Sequence, residues 1–370
     1  MSGLEILSCG LVCPAGGESA ALAGALRQPP QPAEVTGMYP EPLPAPRAYA
    51  MVDFDVRAEL GRKGTSFFDR RTALAVVGCG RALRDAGLAV TDQNRDRIGV
   101  VVGTTAGSLR SSVEYAAETF RQQPPHLVNP ALFPNTVMNC AAGQVAIWFG
   151  LHGVNATLAG GPMAFLSVLR YCANLFRTRQ ADVLLAGAVE EFTPHTAWLG
   201  RRPPVGGRSP AASLPGEGGV MFVLRSGGEK AGRRWPDGEV LGVTLGFCPR
   251  GEDRVTAIAG CLRRALLQAG PGPDRVRFVA VGGGDPATEA AGWRAVGQVL
   301  PAGPAERIRV DGVAGDTPTV AGALELAAIL ARHRADPELD GGRSVLVGHS
   351  PEGAVGAAVI QGWSRGPDRG

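Results

Sequence analysis

The stretch that decides the fold runs from Asn129 to Glu191 and reads NPALFPNTVMNCAAGQVAIWFGLHGVNATLAGGPMAFLSVLRYCANLFRTRQADVLLAGAVEE. Residues 141–151 form an apolar, alanine-rich run that predicts a helix, and residues 155–158 predict a short strand. A glycine turn and a long amphipathic helix follow, and residues 181–189 predict a buried strand. This alternation of helices and strands is typical of an α/β fold.

The turn between the short strand and the long helix resembles a nucleophile site that lacks its nucleophile. We predict that Pro162 opens the helix, because the first helical N–H has no internal partner and proline lacks one. A strand that leads into a helix N-terminus is a common place for a nucleophile, since the helix end stabilises negative charge. The turn consists of Gly160, Gly161, Pro162 and Met163, with no cysteine, serine or threonine.

Composition narrows the class of protein. The chain has 370 residues, 45% of them hydrophobic, with 53 glycines and 29 prolines, so we expect a globular protein rich in turns. A net charge of +3 spread along the chain favours neither nucleic acid nor a membrane as partner. The seven cysteines form no C-x-x-C pair, and we expect buried free thiols in a reducing cytoplasm. We find no membrane-span or signal-peptide pattern and no histidine spacing typical of a metal site.

The order of predicted elements occurs twice along the chain. Residues 1–225 and residues 239–370 each alternate strands and helices, and the polar segment 226–238 predicts a linker between them. The predicted helices include Arg70–Ala86 in the first part and Arg254–Ala269 in the second. Two α/β parts of similar order predict a duplicated fold.

The stretch quoted above resembles the β-ketoacyl synthases, which are condensing enzymes of the thiolase fold. Residues 133–161 are similar to that family's pattern PN-x-x-x-N-x-x-A-G-x-x-A followed by G-L-x-G-P, which leads to the active cysteine. Val154 stands where the second piece has proline. The resemblance covers nearly the whole chain and implies a duplicated thiolase-like fold of two similar halves in a five-layer αβαβα arrangement.

The resemblance also locates the positions at which the family carries a cysteine, two histidines and a lysine for condensation. The cysteine position falls on Pro162, and the first histidine position falls on Gly282. The second histidine motif puts Asp316 at the histidine and Asp311 at the lysine. A carboxylate cannot donate a hydrogen bond to an oxyanion at neutral pH unless its pKa is strongly raised. We therefore expect the chain to be inactive as a condensing enzyme on its own.

Within the family, the chain resembles the chain-length factors, which are noncatalytic subunits paired with a ketosynthase. One face of the helix predicted over residues 108–120 is mostly small, a pattern that by itself is typical of close helix packing. In chain-length factors the matching helix lines the tunnel for the growing acyl chain. The implied tunnel residues are Leu109, Ser112, Val113, Ala116 and Trp198. The implied interface residues are Leu132, Phe133, Met138, Asn155, Ala156, Thr157 and Leu158.

The resemblance implies a chain-length factor of a type II polyketide synthase, which closes the acyl tunnel at a heterodimer interface and so sets chain length. Its implied partners are a ketosynthase subunit and an acyl carrier protein. No cofactor of its own is implied, because the substrate is carried on the phosphopantetheine of the carrier protein. Chain-length factors of aromatic systems usually have glutamine at the lost cysteine, so Pro162 favours a reducing, polyene-forming system.

Two other functions remain open at this stage. The chain could be a condensing or acyl-transfer enzyme with a relocated nucleophile such as Cys140, or with Asp311 and Asp316 as an acid/base pair. It could instead be a homodimeric scaffold that docks an acyl carrier protein without a ketosynthase. Labelling of Cys140 by a thioester or an electrophile would favour the first alternative. A homodimer that forms without any ketosynthase would favour the second.

Overall fold

The computed structural model describes residues 3–200, 214–227, 236–271, 276–282, 286–300 and 305–365. The strands are β1 (Leu4–Val12), β2 (Ala33–Glu34), β3 (Arg47–Ala48), β4 (Ile98–Thr104), β5 (Asn155–Ala159), β6 (Val183–Glu190), β7 (Gly218–Ser226), β8 (Gly238–Phe247), β9 (Val276–Val281), β10 (Glu306–Ile308), β11 (Arg343–His349) and β12 (Ala354–Gly362). The α-helices are α1 (Ser19–Arg27), α2 (Val56–Leu60), α3 (Arg70–Ala86), α4 (Leu109–Arg121), α5 (Phe133–Thr136), α6 (Cys140–Phe149), α7 (Ala164–Arg177), α8 (Pro194–Gly200), α9 (Arg254–Ala269), α10 (Pro286–Val299), α11 (Asp311–Ala314) and α12 (Pro318–Ala335).

The main sheet consists of two half-sheets with the same strand order. The first runs β5-β4-β6-β7-β1 and the second runs β10-β9-β11-β12-β8. In the first, β4 pairs in parallel with β5 and β6, and in the second β9 pairs in parallel with β10 and β11. The halves join where Leu4–Ile6 of β1 lie opposite Gly238–Val240 of β8 in an antiparallel ladder. This repetition is the duplicated arrangement that the sequence predicts.

The helices complete five layers around the half-sheets. Helices α3 and α6 cover the outer face of the first half, and α9 and α10 cover the outer face of the second. Helices α7 and α12 lie between the halves, where side chains of both half-sheets, such as Phe222 and Leu346, join them in one core. Twelve of the 18 residues of α12 are buried, so this helix meets protein on almost every side. The αβαβα arrangement and the thiolase-like fold are therefore confirmed.

The capped helices match their predicted limits. Helix α3 begins after Asp69, whose Oδ1 accepts a hydrogen bond from the Thr72 amide at 2.7 Å, and it ends at Gly87 in the left-handed region. Helix α9 begins after Asp253, which accepts hydrogen bonds from two backbone amides. The predicted linker 226–238 begins within β7 and includes residues 228–235, which lie outside the described part of the chain. The predicted domain limits stay a prediction.

Several short elements differ from the prediction. Pro162 does not open an α-helix, because residues Gly161–Met163 form a 3₁₀ turn and α7 begins at Ala164. The strand predicted near residues 308–310 is β10, which ends at Ile308. Helices α8 and α11 were not predicted, since elements of seven and four residues are too short to show a helical period.

Two further sequence predictions concern the cysteines and membranes. All seven cysteines are buried and free, as predicted from their spacing and surroundings. Across the described ranges, no helix combines the length and the apolar character needed to cross a membrane.

A buried carboxylate joins three segments of the first half. Glu217, next to β7, is fully buried, and each of its oxygens accepts a hydrogen bond of 2.6 Å from the Arg70 guanidinium at the start of α3. The same oxygens accept hydrogen bonds from the backbone amides of Met51 and Phe192 at 2.7 and 3.2 Å. These four bonds satisfy both oxygens, so the ion pair is favourable in spite of its burial.

We expect Glu217→Gln to lower the free energy of unfolding by about 3 kcal/mol, because it leaves the Arg70 charge without its counter-ion in a buried place. Urea unfolding measures the change. The matched control is Asp92→Asn, because Asp92 pairs with Arg95 at the surface and its side chain is 88% exposed. We expect the control to shift the free energy by less than about 1 kcal/mol. Equal shifts in the two variants would contradict the role given to Glu217.

Candidate functional site

The four residues predicted to stand at the family's catalytic positions lie around one cavity. This cavity has a volume of about 190 Å³, and Pro162, Gly282, Asp311 and Asp316 all line it. They come from three separate segments of the chain, which the fold brings together between the two halves. Among the described residues that line the cavity there is no cysteine and no histidine.

The turn before α7 forms one side of the cavity. Gly161 has φ +51°, a left-handed conformation that favours glycine, and it turns the chain from β5 into the 3₁₀ turn that contains Pro162. Pro162, Phe165 and Leu166 present apolar surface to the cavity. A nucleophile at this turn would stand at the cavity wall, but proline offers no reactive atom there.

The segment before α12 forms the opposite side. Gly315 has φ +70°, and a Cβ atom there would lie 2.6 Å from the Leu214 carbonyl oxygen, so the position requires glycine for two reasons. Asp316 faces the cavity, and desolvation by the surrounding protein raises the pKa of its carboxyl group. The first turn of α12 is capped from another strand, because the Thr319 amide donates to Glu190 Oε2 at 2.8 Å. Burial raises the pKa of Glu190 to about 7.

A buried glutamate that the sequence interpretation missed lies in the wall of the cavity. Glu325, in the third turn of α12, is only 4% exposed, and its Oε2 has no hydrogen-bond partner among the described residues. Burial, together with repulsion by Glu289 and Asp311, raises the pKa of its carboxyl group to about 8. The signal that could have found it is a single acid in the otherwise apolar run VAGALELAAIL, residues 320–330.

The mouth of the cavity carries an ion-pair cluster. The Arg309 guanidinium lies 3.2 Å from Glu289 Oε1 and 3.4 Å from Asp311 Oδ1. The side chains of Arg309 and Asp311 are both more than half exposed, whereas that of Glu289 is 25% exposed. These ion pairs hold Asp311 at the rim of the cavity. Glu325 is the ionisable group that lies deepest in the cavity wall.

The structure does not favour the candidate for a relocated nucleophile. Cys140 is buried, and its Sγ donates to Asn135 Oδ1 at 3.2 Å. Burial raises the pKa of its thiol, so the neutral form dominates at neutral pH, and it does not line the cavity described above. His349 is fully buried at the end of β11, and its neighbour Gly348 lines the cavity. No group of side chains placed to bind a metal ion occurs in the described residues.

A second cavity gathers three of the five implied tunnel residues. It has a volume of about 460 Å³ and is lined by Leu109 and Val113 of α4, by Trp198 of α8, and by neighbouring apolar side chains. Trp198 Nε1 donates to the Pro42 carbonyl oxygen at 2.9 Å, which fixes the ring at the cavity wall. Ser112 and Ala116 do not line this cavity in the single chain, so their tunnel role remains a prediction.

The residues implied at the interface lie on an exposed apolar surface and on a sheet edge. Helix α4 contacts α5 and α8, and these helices and the segments beside them expose a set of large apolar side chains. No residue within the fully described helix α4 is buried. We call this surface the α4–α8 face; its residues are Val113, Phe120, Leu127, Phe133, Val137, Met138, Trp198 and Leu199. Leu132 is half-buried beside it. Strand β5, Asn155–Ala159, contains the other four implied residues and, among the described strands, pairs only with β4.

The amino-acid sequence is similar to those of β-ketoacyl synthases. Residues 41–202 match the sequence model described as "Beta-ketoacyl synthase, N-terminal domain". The 3-oxoacyl-(acyl-carrier-protein) synthase 2 of Vibrio cholerae is 26% identical over 197 residues, which are 52% of this chain and 44% of the relative. The corresponding synthase of Staphylococcus aureus is 26% identical over 167 residues, 45% of this chain and 40% of the relative. The chain thus spans less than half the length of the curated relatives it matches.

Solved structures match over nearly the whole chain. The ishigamide ketosynthase/chain length factor has a TM-score of 0.84 and 29% sequence identity, over 98% of this chain and 99% of the other. A β-ketoacyl synthase from Burkholderia phymatum has a TM-score of 0.79 and 17% identity, over 98% of this chain and all of the other. A chain from a type II polyketide synthase acyl-carrier protein in complex with its ketosynthase has a TM-score of 0.75 and 16% identity over 98% of this chain and all of the other. The last two show the fold alone.

These findings define the class of protein first by its fold, which is the thiolase-like ketosynthase fold. Residues 41–202 are then similar to the N-terminal domain of β-ketoacyl synthases, and nearly the whole chain is similar to the ishigamide ketosynthase/chain length factor.

The pKa of Glu325 predicts how stability depends on pH. The unfolded carboxyl group ionises near its ordinary pKa of 4.5, whereas the folded group keeps its proton up to about pH 8. The folded state therefore binds more protons than the unfolded state in this window, and stability is lost as pH rises. We expect Glu325→Gln to be more stable than the parent chain at pH 8.5, by about 1.4 kcal/mol for each unit of pKa shift removed.

Thermal unfolding at pH 5 and pH 8.5 measures this difference. We expect the two proteins to have similar melting temperatures at pH 5, because Glu325 is protonated there in the folded state. Glu252→Gln, at an exposed position, is the matched control and should give no pH-dependent gain. A gain in Glu325→Gln that is equal at both pH values would contradict the raised pKa.

Proposed function

We propose that this chain is a chain-length factor, the noncatalytic partner of a ketosynthase in a type II polyketide synthase. The observation that carries the proposal is the cavity at which Pro162, Gly282, Asp316 and Asp311 meet. The family has a thiol, two imidazoles and an amine at these positions. The frame that would hold those groups is retained, and the groups themselves are replaced.

The chemistry of condensation supports a noncatalytic role. The acyl chain must be held as a thioester, and the carbanion formed by decarboxylation needs hydrogen-bond donors for its enolate oxygen. Proline cannot accept an acyl group, and glycine has no side chain to donate. Asp316 could donate only while protonated, and no thiol or imidazole lines the described part of the cavity wall. The reacting groups must then come from another subunit.

The shape of the chain supports a role beside that subunit. The α4–α8 face exposes large apolar side chains that a partner would bury, and the free edge of β5 offers backbone groups for pairing across an interface. The 460 Å³ cavity opens on this face, because Val113, Trp198 and Leu199 line the cavity and are exposed members of the face. A partner seated there would cover the cavity and convert it into the closed end of a tunnel. A growing chain stops when its end meets such a wall.

The proposal assigns the rest of the reaction to partners. The ketosynthase would carry the cysteine and histidines, and the substrate would arrive on the phosphopantetheine of an acyl carrier protein, so this chain needs no cofactor of its own. We propose a reducing, polyene-forming system and a cytoplasmic location. The ishigamide ketosynthase/chain length factor, at 29% identity over nearly the full length, supports the assignment to this type of complex.

The proposal predicts that a neighbouring gene encodes a ketosynthase with the cysteine and histidines, and co-expression of the two chains tests it. We expect the two chains to co-purify as a 1:1 complex that extends acyl chains in the presence of a carrier protein, and each chain alone to be inactive. Extension by this chain alone would overturn the noncatalytic role. A stable homodimer that ignores the ketosynthase but binds the carrier protein would favour a docking scaffold instead.

The cavity on the α4–α8 face predicts which substitutions change product length. Val113→Trp should fill the cavity and shorten the product by at least one extension unit, because the end of the chain meets the wall earlier. Mass spectrometry of the products measures the length. Arg121→Trp, at an exposed position of the same helix that does not line the cavity, is the control and should leave the length unchanged. Unchanged length in Val113→Trp would remove this cavity from the tunnel, and Ser112→Trp and Ala116→Phe test the two residues outside it.

The buried thiol of Cys140 predicts that this residue is dispensable for extension. We expect Cys140→Ala in the complex to retain at least half of the extension rate and to show the same products. The physical reason is that the thiol is neutral and hydrogen-bonded, so it cannot act as a nucleophile. Loss of activity together with acylation of Cys140 in the parent chain, detected by peptide mass spectrometry, would favour a relocated nucleophile.

A further inference from the structure

The 190 Å³ cavity has an excess of acidic groups that the proposed function does not use. Glu289, Asp311, Asp316 and Glu325 line it, and Arg309 is the only cation among the lining residues that the structure describes. Arg309 lies at the mouth and pairs with Glu289 and Asp311 there. The carboxyl groups deeper in the cavity wall therefore have no counter-ion among the lining residues that the structure describes.

Glu325 is the part of this wall that points to a ligand. Because Glu325 is only 4% exposed, water does not solvate its carboxyl group as it solvates a surface carboxylate. Oε2 has no hydrogen-bond partner among the described residues, although a buried polar atom without a partner costs stability. The carboxyl group reaches the space beside Gly282, where an added Cβ atom would lie 3.6 Å from Oε2. A donor entering the cavity at Gly282 would meet this oxygen.

The other walls define the chemical class of that donor. Phe165, Leu166, Val281, Ile308 and Leu346 line the cavity with apolar side chains, which suit a short hydrocarbon body. No group of three or more His, Cys, Asp or Glu side chains placed to hold a metal ion occurs within the described chain, so the lining suits an organic cation better than a bare metal ion. A ligand that matches both features has a short alkyl body and one cationic N–H donor end.

We propose that this cavity binds a small primary alkylammonium group, with the Glu325 carboxylate as its counter-ion and the apolar walls around its hydrocarbon part. The proposal is independent of the chain-length function, because it concerns binding by the chain alone. It extends to the ammonium end of a larger molecule whose remainder leaves through the mouth beside the Arg309–Asp311 ion pair.

Binding of an ammonium group is coupled to the proton on Glu325. In the empty cavity burial raises the pKa of this group to about 8, so the carboxyl group is neutral at pH 7. An ammonium ion favours the ionised form and displaces the proton to solvent. Glu289 on α10 and Asp311 on α11 repel the Glu325 carboxylate, and Arg309 beside them partly offsets that repulsion at the mouth. Affinity should therefore rise about tenfold for each pH unit between pH 6 and pH 8 and level off above pH 8.

Isothermal titration calorimetry with n-butylammonium chloride tests the proposal on the full chain. The comparison ligands are n-butanol, which has a body of similar size without charge, and potassium chloride at the same ionic strength. We expect saturable binding of n-butylammonium at pH 8, at least tenfold tighter than that of either comparison ligand. At pH 7 the heats measured in two buffers of different ionisation enthalpy should differ, because close to one proton is released.

Variants assign the binding to the cavity wall. Glu325→Gln should weaken n-butylammonium binding at least tenfold and remove its pH dependence, while n-butanol binding stays the same. Glu252→Gln, at the surface, should change neither. The melting temperature of each variant at pH 5 verifies that it is folded.

Three results would overturn the proposal. One is the absence of saturable n-butylammonium binding to the folded parent chain at pH 8. Another is equal binding of n-butylammonium and potassium ions, which would indicate a cation site without a role for the apolar walls. The third is unchanged affinity in folded Glu325→Gln. None of these results bears on whether the chain pairs with a ketosynthase, so the two proposals fail separately.

Discussion

The confinement of helices α7 and α12 between the two half-sheets is the constraint on which the rest of the structure depends. Both helices contact strands of both halves; α7 buries eight of its 14 residues, and α12 meets protein on almost every side. The two helices begin at the same place, where Pro162 and Pro318 line one cavity. Core burial holds the helices there, and the side chains at the N-termini contribute little to it. The residues of the site can therefore change while the fold stays the same.

This separation is what the proposed noncatalytic role requires, because the fold can then persist whichever groups line the cavity. The turn at Gly161 and the turn at Gly315 keep left-handed backbone conformations, so the chain still passes the cavity on both sides. At the positions where the resemblance implies a thiol, two imidazoles and an amine, the groups that face the cavity here are proline, glycine and two aspartates. Under the proposed function, the exposed α4–α8 face is the surface that a partner would cover. The proposed chain-length factor would act by the space that it encloses and by the groups that bound it.

Glu325 shows what it costs to bury a carboxyl group in the wall of this cavity. A carboxyl group buried in a helix between two sheets has few ways to be solvated, and it keeps its proton to about pH 8. Repulsion by Asp311 at the mouth makes the ionised form of Glu325 less stable still. A cation held in the cavity would stabilise that ionised form. The same lack of a partner makes the cavity receptive to a donor. Stability and binding are thus linked through one proton.

The sequence by itself determined the class of fold, the duplicated order of elements and the limits of α3 and α9, because caps such as Asp69 and Asp253 and apolar periodicity act within a few residues of chain. It did not determine the limits of four-residue elements such as α11, since these take their conformation from the neighbours they pack against. Only the tertiary structure decided that Glu325 lines the cavity together with Pro162 and that Ser112 and Ala116 stay outside the second one. Such placements depend on contacts between segments more than 80 residues apart, and local patterns along the chain carry no record of them.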